Sequence, residues 1–262
     1  MAAQYTDGVI AGMQMLYGEG FLSPGGPGEV GDLIGETRVS DANVLDIGCG
    51  LGGLALMLVR DYGAAHVTGI DIEDDLIARA ARAAADTGLA DRIDVKCVKP
   101  GPLPFTDGTF DIAITKDVIC HVPDKAAFLT DIRRILRPGG TLLVADFFDN
   151  RSASDAGAAA LYDAYVDGMA AYGLNFHFRP QADYEAAIAD AGLRLSEHRD
   201  HTDASAAVAK RENETLGSPG AAPIRDALGQ DRFEARCRAT EMRMRALEAR
   251  SLLHGHLVIL NP

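Results

Sequence analysis

The sequence of 262 residues is poor in cysteine, contains no tryptophan and has no long apolar run. Its four cysteines are scattered without a Cys-x-x-Cys pair, which argues against a zinc site or a disulfide framework and suits a reducing compartment. No apolar stretch approaches the roughly 20 residues needed to span a bilayer. The opening residues lack a basic segment followed by an apolar one, so we expect no secretory signal. These absences predict a cytoplasmic protein.

Positive charge is also scarce. The formal net charge is −13, whereas proteins that bind nucleic acid present clustered Lys and Arg to the phosphates. The basic residues from Arg232 to Arg250 alternate with Glu234, Glu241 and Glu248, which predicts a solvated helix face. We therefore expect no nucleic acid and no membrane as a partner, and a small-molecule substrate instead.

Short apolar segments alternate with helical patterns along most of the chain. Strands are predicted at residues 43–47, 66–70, 93–98, 110–115, 141–145, 193–198 and 255–260. Helices are predicted at 54–62, 74–87, 125–136 and 181–191. Strands that alternate with helices form parallel sheets with right-handed crossovers. The pattern predicts an α/β domain over residues 41–262, with a seven-stranded, mostly parallel sheet and helices on both faces.

Two segments fall outside this alternation. Residues 1–40 combine a short helical pattern with a loop rich in glycine and proline, Ser23-Pro-Gly-Gly-Pro-Gly28. Residues 204–250 form a helical insertion before the last strand, interrupted at Gly217-Ser-Pro-Gly220. Ligands of open α/β sheets lie beyond the carboxyl ends of the strands. We therefore expect an N-terminal cap and a helical lid over the site; packing at the sheet edge alone is the alternative.

The strongest local signal is the stretch Val44-Leu-Asp-Ile-Gly-Cys-Gly-Leu-Gly-Gly53, between a strand and a helix. Its glycines let a ligand approach the backbone, but NAD and S-adenosylmethionine enzymes both use such loops. Asp46 favours S-adenosylmethionine, because a carboxylate there receives the positive end of an amino acid moiety and repels a diphosphate. Asp71 ends the second strand, where it can accept hydrogen bonds from both ribose hydroxyls with either cofactor. An NAD(P)-dependent oxidoreductase is the alternative, and the absence of a Tyr-x-x-x-Lys pair after the fifth strand argues against it.

The order and spacing of several motifs resemble those of class I S-adenosylmethionine-dependent methyltransferases over residues 40–146. Besides the glycine-rich stretch, the motifs are Val67–Asp71, Leu103-Pro-Phe105, Phe110-Asp111 and Leu136-Arg-Pro-Gly-Gly-Thr-Leu-Leu-Val144. The resemblance implies a Rossmann-like fold, S-adenosylmethionine as cofactor and S-adenosylhomocysteine as product. The expected cofactor-binding residues in this part of the chain are Asp46, Gly48, Cys49, Gly50, Gly52, Asp71, Ile72, Val98 and Lys99.

A narrower resemblance, to phosphoethanolamine N-methyltransferases, reaches the N-terminus. It rests on Gln4-Tyr5-Thr6-Asp7, on Tyr17-Gly-Glu-Gly-Phe-Leu-Ser-Pro-Gly-Gly26 and on Lys116-Asp-Val-Ile-Cys-His121. The resemblance implies that Tyr5 and His121 form a dyad over the amine and that Asp117 touches the substrate. Gln4, Leu22 and Ser23 match positions close to the cofactor, and Lys116 matches an arginine that helps enclose it.

The chain departs from that family where the ligands' polar groups are bound. Leu174 and Phe176 stand where the family has a phosphate-binding arginine and tyrosine, and the lost arginine argues against a phosphate monoester as acceptor. Lys99 stands where the family has an aspartate that receives the adenine amino group. Because a lysine side chain has no acceptor, adenine recognition is expected to rest on backbone groups. Candidates to line the acceptor pocket are Tyr165, Tyr172, Phe176, His177 and Arg179.

An amine must be neutral when it attacks the methyl group, so the site needs a base or a desolvating pocket. His121 is the candidate base because the ordinary pKa of histidine lies near neutrality. We therefore predict a small-molecule N-methyltransferase. An O- or S-methyltransferase that uses the same histidine is the alternative, and a non-catalytic cofactor-binding relative is a third hypothesis. No metal is predicted, since His254 and His256 have no carboxylate or cysteine at ligand spacing.

Overall fold

The sheet has the strand order β3-β2-β1-β4-β5-β7-β6. The computed structural model describes residues 5–171 and 174–262. The strands are β1 (Asn43–Ile47), β2 (His66–Asp71), β3 (Ile93–Cys97), β4 (Phe110–Lys116), β5 (Leu136–Asp149), β6 (Arg194–Asp200) and β7 (Leu252–Leu260). Strands β1 to β5 pair in parallel, whereas β7 is antiparallel to both β5 and β6. The predicted seven-stranded, mostly parallel sheet is confirmed.

Helices follow most strands. They are α1 (Asp7–Tyr17), α2 (Gly26–Ile34), α3 (Gly53–Arg60), α4 (Asp74–Asp86), α5 (Lys125–Ile135), α6 (Ala156–Ala171), α7 (Gln181–Asp190), α8 (Thr202–Gly217), α9 (Ala222–Leu228) and α10 (Gln230–Glu248). Among the described residues, none of these helices has the length and apolarity required to cross a membrane.

Two strands are longer than their apolar patterns predicted. Strands β5 and β7 pair without interruption from Thr141–Leu260 to Asp149–Leu252. This pairing extends β7 back to Leu252 and β5 forward to Asp149. The backbone hydrogen bonds of the ladder thus fix strand ends that side-chain periodicity does not mark.

Apolar side chains fill both faces of the sheet. Val44 and Leu45 are neighbours in β1, and both are fully buried. Because successive strand residues point to opposite faces, Val44 packs in a cluster with Leu58 of α3, while Leu45 packs in a cluster with Ile132 of α5. Burying a side chain of this size stabilises the fold by about 1.5–3 kcal/mol. Strand β1 is therefore packed on both faces, and this packing fixes the position of the strand end from which the next loop starts.

The N-terminal segment is more helical than the sequence predicted. Helix α2 begins at Gly26, inside the stretch that was expected to be a loop, and Pro27 lies in its first turn. Proline is tolerated there because its missing N–H would have no partner in the helix. Gly25 enters the helix with φ +82°, a conformation that favours glycine. The predicted loop therefore ends at Gly25.

The N-terminal segment and the insertion touch each other through α1 and α9. Gly8 and Gly12 lie one turn apart on α1, so they face the same side. A Cβ at Gly8 would overlap the carbonyl oxygen of Ala227, and one at Gly12 would lie 2.9 Å from Leu228 Cγ. The two glycines thus permit a close approach of the helices. Whether the two segments act as cap and lid stays a prediction.

Candidate active site

The glycine-rich loop after β1 is anchored to the end of β2. The N–H groups of Gly48 and Cys49 both donate to the carbonyl oxygen of Ile70, at 2.8 and 3.0 Å. Gly48, Gly50 and Gly52 have φ values of +75°, +52° and +84°, which favour glycine. The turn that the glycines were expected to permit is present, and it leads directly into α3.

Asp71, at the end of β2, joins two loops through its carboxylate. One oxygen accepts a hydrogen bond from the N–H of Gly50 at 2.9 Å, and the other accepts one from the N–H of Glu73 at 3.1 Å. Each carboxylate oxygen retains capacity for a further donor. The side chain is therefore fixed beside the glycine-rich loop and can still accept hydrogen bonds from a ligand.

An apolar surface and an exposed lysine lie next to Asp71. The side chain of Ile72 is 59% exposed, which is unusual for a large apolar residue in this structure. Val98 is half-buried, and its N–H donates to the carbonyl oxygen of Asp71 at 2.8 Å. Lys99 is exposed. Ile72 and Val98 thus offer a site for a planar apolar group, while the role of Lys99 stays a prediction.

Asp46 is buried inside the end of β1, with 1% exposure. Within the described residues its Oδ2 atom has no hydrogen-bond partner, and the N–H of Ala55 is the backbone donor to its carboxyl group. Burial, together with the nearby carboxylate of Asp71, raises the pKa of Asp46 to about 8. A cation placed beside Asp46 would favour its ionised form, so the residue suits the positive end of a ligand.

Tyr5 reaches the glycine-rich loop from the N-terminus. Its side chain packs with Ile10, Leu51 and Leu76. Burial first, and then the charges of Asp71 and Glu73, raise the pKa of Tyr5 to about 12. The phenol therefore keeps its proton near the end of β2. Gln4, which was expected beside the cofactor, lies outside the described residues.

The end of β4 carries a buried network of charges around Lys116. The Nζ atom of Lys116 donates to Ser23 Oγ and to Asp117 Oδ2, both at 2.7 Å, and lies 3.1 Å from Glu29 Oε2. Burial alone would lower the pKa of Lys116, but the carboxylates of Asp117 and Glu29 raise it above its usual value. Lys116 therefore stays charged and ties the N-terminal segment to the sheet.

Replacing Lys116 with methionine is expected to destabilise the protein by about 3–5 kcal/mol, because Glu29 and Asp117 would be left as buried charges without their cation. Urea denaturation of both proteins measures this difference in the free energy of unfolding. The matched control is Arg137→Met, since the ion pair of Arg137 with Asp111 is partly exposed and should contribute about 1 kcal/mol or less. If the two substitutions lowered the free energy of unfolding equally, Lys116 would not be the cation that stabilises Glu29 and Asp117.

Asp117 follows Lys116 in a conformation that L-residues rarely adopt, with φ +58°. Such a conformation persists only where its surroundings hold it, and it is frequent at functional sites. The N–H of Asp117 donates to the carbonyl oxygen of Ala145 at 2.9 Å. Burial would raise the pKa of Asp117, but Lys116 and His254 hold it well below its usual range. The structure thus places a fixed carboxylate at the carboxyl end of β4, as the motif led us to expect.

His121 lies in a short 3₁₀ turn, Ile119–His121, beyond the end of β4. Its Nδ1 atom is 2.9 Å from the carbonyl oxygen of Asn175, and because a carbonyl only accepts, Nδ1 carries the proton. The ring lies against Phe176, with centroids 5.0 Å apart. Partial burial lowers the pKa of His121, although the side chain keeps access to solvent. In the neutral ring, Nε2 is therefore an available acceptor.

Lys125 fixes this turn, a role that the sequence did not predict. Its Nζ atom donates to the carbonyl oxygens of Ile119 and Val122, at 2.9 and 3.0 Å. Lys125 is buried, although lysine usually remains exposed. A single lysine at the start of a predicted helix gives no sequence signal for this contact, since both acceptors are backbone atoms.

Aromatic side chains form a stack beside His121. The rings of Phe176 and Phe178 lie 4.6 Å apart, and that of Tyr165 lies 5.8 Å from Phe176. The stack thus includes two of the predicted pocket residues and adds Phe178. Burial alternates along residues 174–179. Leu174, Phe176 and Phe178 are half-buried or buried, whereas Asn175, His177 and Arg179 are exposed. His177 and Arg179 therefore lie outside the stack, and Tyr172 lies outside the described residues.

Two arginines of α10 correct the prediction of a wholly solvated helix face. Arg236 and Arg243 are only 6% and 4% exposed. Arg236 donates to the hydroxyl of Tyr17 at 3.2 Å, and Arg243 forms a buried ion pair with Glu212. Seven residues separate the arginines, which places them on one side of the helix. The seven-residue spacing was the sequence signal for two buried arginines on one side of the helix. The glutamates between the basic residues made the whole helix look solvated.

Comparison with known proteins shows which proteins this chain resembles. A family model described as a methyltransferase domain matches residues 45–144. Phosphoethanolamine N-methyltransferase 1 of Arabidopsis thaliana is 29% identical over 210 residues, which cover 80% of this chain and 40% of that protein. The ubiquinone biosynthesis O-methyltransferase of Parvibaculum lavamentivorans is 38% identical over 159 residues, 60% of each chain. The chain thus spans between two fifths and three fifths of the length of these relatives.

A solved structure shows the same fold. Phosphoethanolamine N-methyltransferase 2 of Haemonchus contortus, in complex with phosphomonomethylethanolamine and S-adenosylhomocysteine, has a TM-score of 0.85 at 20% identity. The match covers 100% of this chain and 59% of that one. The similarity confirms the Rossmann-like fold, and the methyltransferase match displaces the oxidoreductase alternative. Residues 45–144 thus match a methyltransferase domain, and similarity to named methyltransferases extends over up to 80% of the chain.

Proposed function

We propose that the chain binds S-adenosylmethionine at the loop after β1 and catalyses methyl transfer to the nitrogen of a small amine. In this proposal His121 is the general base, Asp117 contacts the acceptor and Tyr5 closes the site. When bound, S-adenosylmethionine supplies the electrophilic methyl group. The Arabidopsis relative, named for N-methyl transfer, supports the choice of nitrogen.

The residues around the glycine-rich loop suit this cofactor. Asp46 presents a buried oxygen that has no partner in the described part of the chain, which matches the ammonium group of the methionine part. Asp71 has remaining acceptor capacity for ribose hydroxyls, and the exposed side chain of Ile72 offers an apolar surface for adenine. Among residues 5–171 and 174–262, a Cβ at Gly50 would come within 4 Å of Leu22 Cδ1 alone, at 3.5 Å. The loop therefore leaves room for a ligand against its backbone.

The orientation of His121 is the observation that carries the proposal. The hydrogen bond from Nδ1 to Asn175 fixes the ring and leaves the Nε2 lone pair available. The lowered pKa of His121 keeps the ring neutral at physiological pH. A neutral imidazole with a free nitrogen can take the proton that the amine loses. Tyr5, held close to Asp71 and Leu51, is placed to shield the reaction from water.

The side chains beside His121 favour an acceptor without a phosphate. Phe176, the half-buried member of the stack, lies against His121, where its aromatic face would stabilise a cationic methylated amine. Burial raises the pKa of the Tyr165 hydroxyl, and the charge of Arg243 is close enough to oppose that rise. The carboxylate of Glu212 pairs with Arg243 and balances that positive charge. The stack and this ion pair together add no net positive charge that would attract a phosphate group.

Methyl transfer to oxygen is the second candidate. It is favoured by the Parvibaculum relative, which is named an O-methyltransferase. A phenol must also lose its proton, and the same Nε2 atom of His121 would accept it. The two candidates therefore share a site and a base and differ in the acceptor alone.

An acceptor panel with methyl-labelled S-adenosylmethionine distinguishes these functions. The panel contains phosphoethanolamine, ethanolamine, sarcosine, tyramine and catechol. We expect transfer to at least one amine that lacks a phosphate, with a kcat/KM at least about tenfold above that for phosphoethanolamine, which corresponds to about 1.4 kcal/mol. Transfer to catechol alone would establish the O-methyltransferase, and preference for phosphoethanolamine would contradict our reading of the aromatic stack.

A further inference from the structure

A cluster of histidines surrounds Glu29 beneath α2. His254 and His256 project from one face of β7, and His201 directly precedes α8. The sequence offered no carboxylate near these histidines, but the fold supplies Glu29 from α2. Its Oε1 atom lies 3.2 Å from Nε2 of His256 and 3.4 Å from Nε2 of His254. One ligand atom each of Glu29, His201 and His256 lies within 4.8 Å of the others.

We propose that Glu29, His201, His254 and His256 form a binding site for a divalent transition metal ion of the zinc type. Imidazole nitrogens and a carboxylate oxygen suit Zn²⁺, whereas Mg²⁺ and Ca²⁺ prefer oxygen donors alone. Bonds of about 2.1 Å in tetrahedral geometry place neighbouring ligand atoms about 3.4 Å apart. The two distances from Glu29 Oε1 already have this value within 0.2 Å.

An unpartnered ring nitrogen points into this cluster. His254 is only 2% exposed, and within the described part of the chain its Nε2 atom has no hydrogen-bond partner. The Oδ1 atom of Asp117, at 3.6 Å, is too distant for a hydrogen bond. A buried nitrogen without a partner costs about 1–3 kcal/mol. Metal binding would give this nitrogen a partner.

Neighbouring groups orient the ligands as in known metal sites. Ser205 Oγ lies 2.7 Å from Nδ1 of His254, and when Nδ1 donates to it, the Nε2 lone pair is free for a metal. Glu29 uses Oε2 for Lys116, and its Oε1 accepts a hydrogen bond of 3.2 Å from Nε2 of His256, which an ion bound between the two atoms would replace. A cavity of about 410 Å³, lined in part by Glu29, His201 and His254, gives access. The ion would link α2, β7 and the start of α8, and thus the N-terminal segment and the insertion.

Titration of the chelator-treated full chain with ZnCl₂, followed by calorimetry, tests the site. We expect one equivalent to bind, and a rise of at least about 5 °C in Tm when free Zn²⁺ is about 100-fold above Kd. CoCl₂ should give the visible absorption bands of tetrahedral cobalt. The absence of saturable binding, or a cobalt–thiolate charge-transfer band that places the ion on a cysteine, would overturn the proposal.

Variants locate the ion on these residues. His256→Ala is expected to weaken zinc binding by more than about 100-fold, since even the loss of a group that only orients a ligand costs 10- to 100-fold. If this buried substitution prevents folding, His201→Ala at the half-buried position decides the matter, with at least about tenfold weaker binding. The matched control is His66→Ala, a half-buried histidine of β2 that is paired with Asp94. If His256→Ala or His201→Ala folds and binds zinc with the same affinity as the wild type, the proposed site is wrong.

Discussion

Replacing Asp46 with asparagine is expected to weaken the binding of S-adenosylhomocysteine by at least about 30-fold and to make the unliganded protein more stable at pH 7. Removing one partner of a buried charge pair costs about 2–5 kcal/mol, and each 1.4 kcal/mol is tenfold in affinity. Calorimetric titration of both proteins with S-adenosylhomocysteine measures the loss. Unchanged affinity would show that Asp46 does not receive the ammonium group.

The stability gain follows from the raised pKa of Asp46. The carboxyl group ionises near pH 3.9 in the unfolded chain but at about 8 in the folded protein. Between these values the folded state holds the extra proton, so stability falls as pH rises from about 4 to 8 and is level above. The asparagine variant loses this slope and should be more stable by at least about 1 kcal/mol at pH 7, or about 2–4 °C in Tm. Asp91→Asn, at an exposed position, is the control and should keep the slope.

The same pKa predicts that ligand binding releases a proton. An ammonium group beside Asp46 lowers its pKa, so the carboxyl group that is protonated in the free protein ionises on binding at pH 7. The binding enthalpy should therefore depend on the ionisation enthalpy of the buffer, with close to one proton released per ligand. The Asp46→Asn protein should show no such dependence, and a dependence that persisted in it would place the proton elsewhere.

Replacing His121 with alanine is expected to lower kcat by about 10²- to 10⁴-fold, the usual contribution of a general base, and to leave the affinity for S-adenosylhomocysteine within about twofold. The affinity is kept because His121 contacts Asn175 and Phe176 rather than the glycine-rich loop. Steady-state methyl transfer and calorimetry on the same preparation separate the two effects.

The pH dependence of kcat/KM gives a second readout of this base. Burial lowers the pKa of His121 below its usual value of about 6.5, so the wild type should keep its base neutral until the pH falls below that value. The matched control is His66→Ala, because His66 begins β2 and lies at the end of that strand away from Asp71. Its pH dependence of kcat/KM should equal that of the wild type. An alanine variant of His121 with unchanged kcat would remove the residue from the mechanism.

Much of the fold follows from apolar periodicity. The alternation that buries Val44 and Leu45 on opposite faces of β1 is local, so it predicts the strand directly. The sequence analysis predicted a loop where α2 begins at Gly26, because glycine and proline occur at helix starts as well as in loops. The carboxyl end of β5 was also misplaced, since it depends on pairing with β7, which is distant along the chain.

The site was predictable where its residues follow strands. Asp46, Asp71 and Asp117 each occupy the end of a parallel strand, and parallel strands bring their carboxyl ends together. Contacts between distant elements were not predictable. Glu29 meets His256 only because the fold brings α2 against the sheet beside β7, and Arg243 is buried because α8 supplies Glu212.

Nuclear magnetic resonance of ¹⁵N-histidine-labelled protein tests the role of His121 most directly, because the two ring nitrogens report the tautomer and the charge. The signals are assigned by their loss in His121→Ala. Our account predicts a neutral ring at pH 7, with the proton on Nδ1 and a free lone pair on Nε2. A proton on Nε2, or a charged imidazolium at this pH, would contradict His121 as the base.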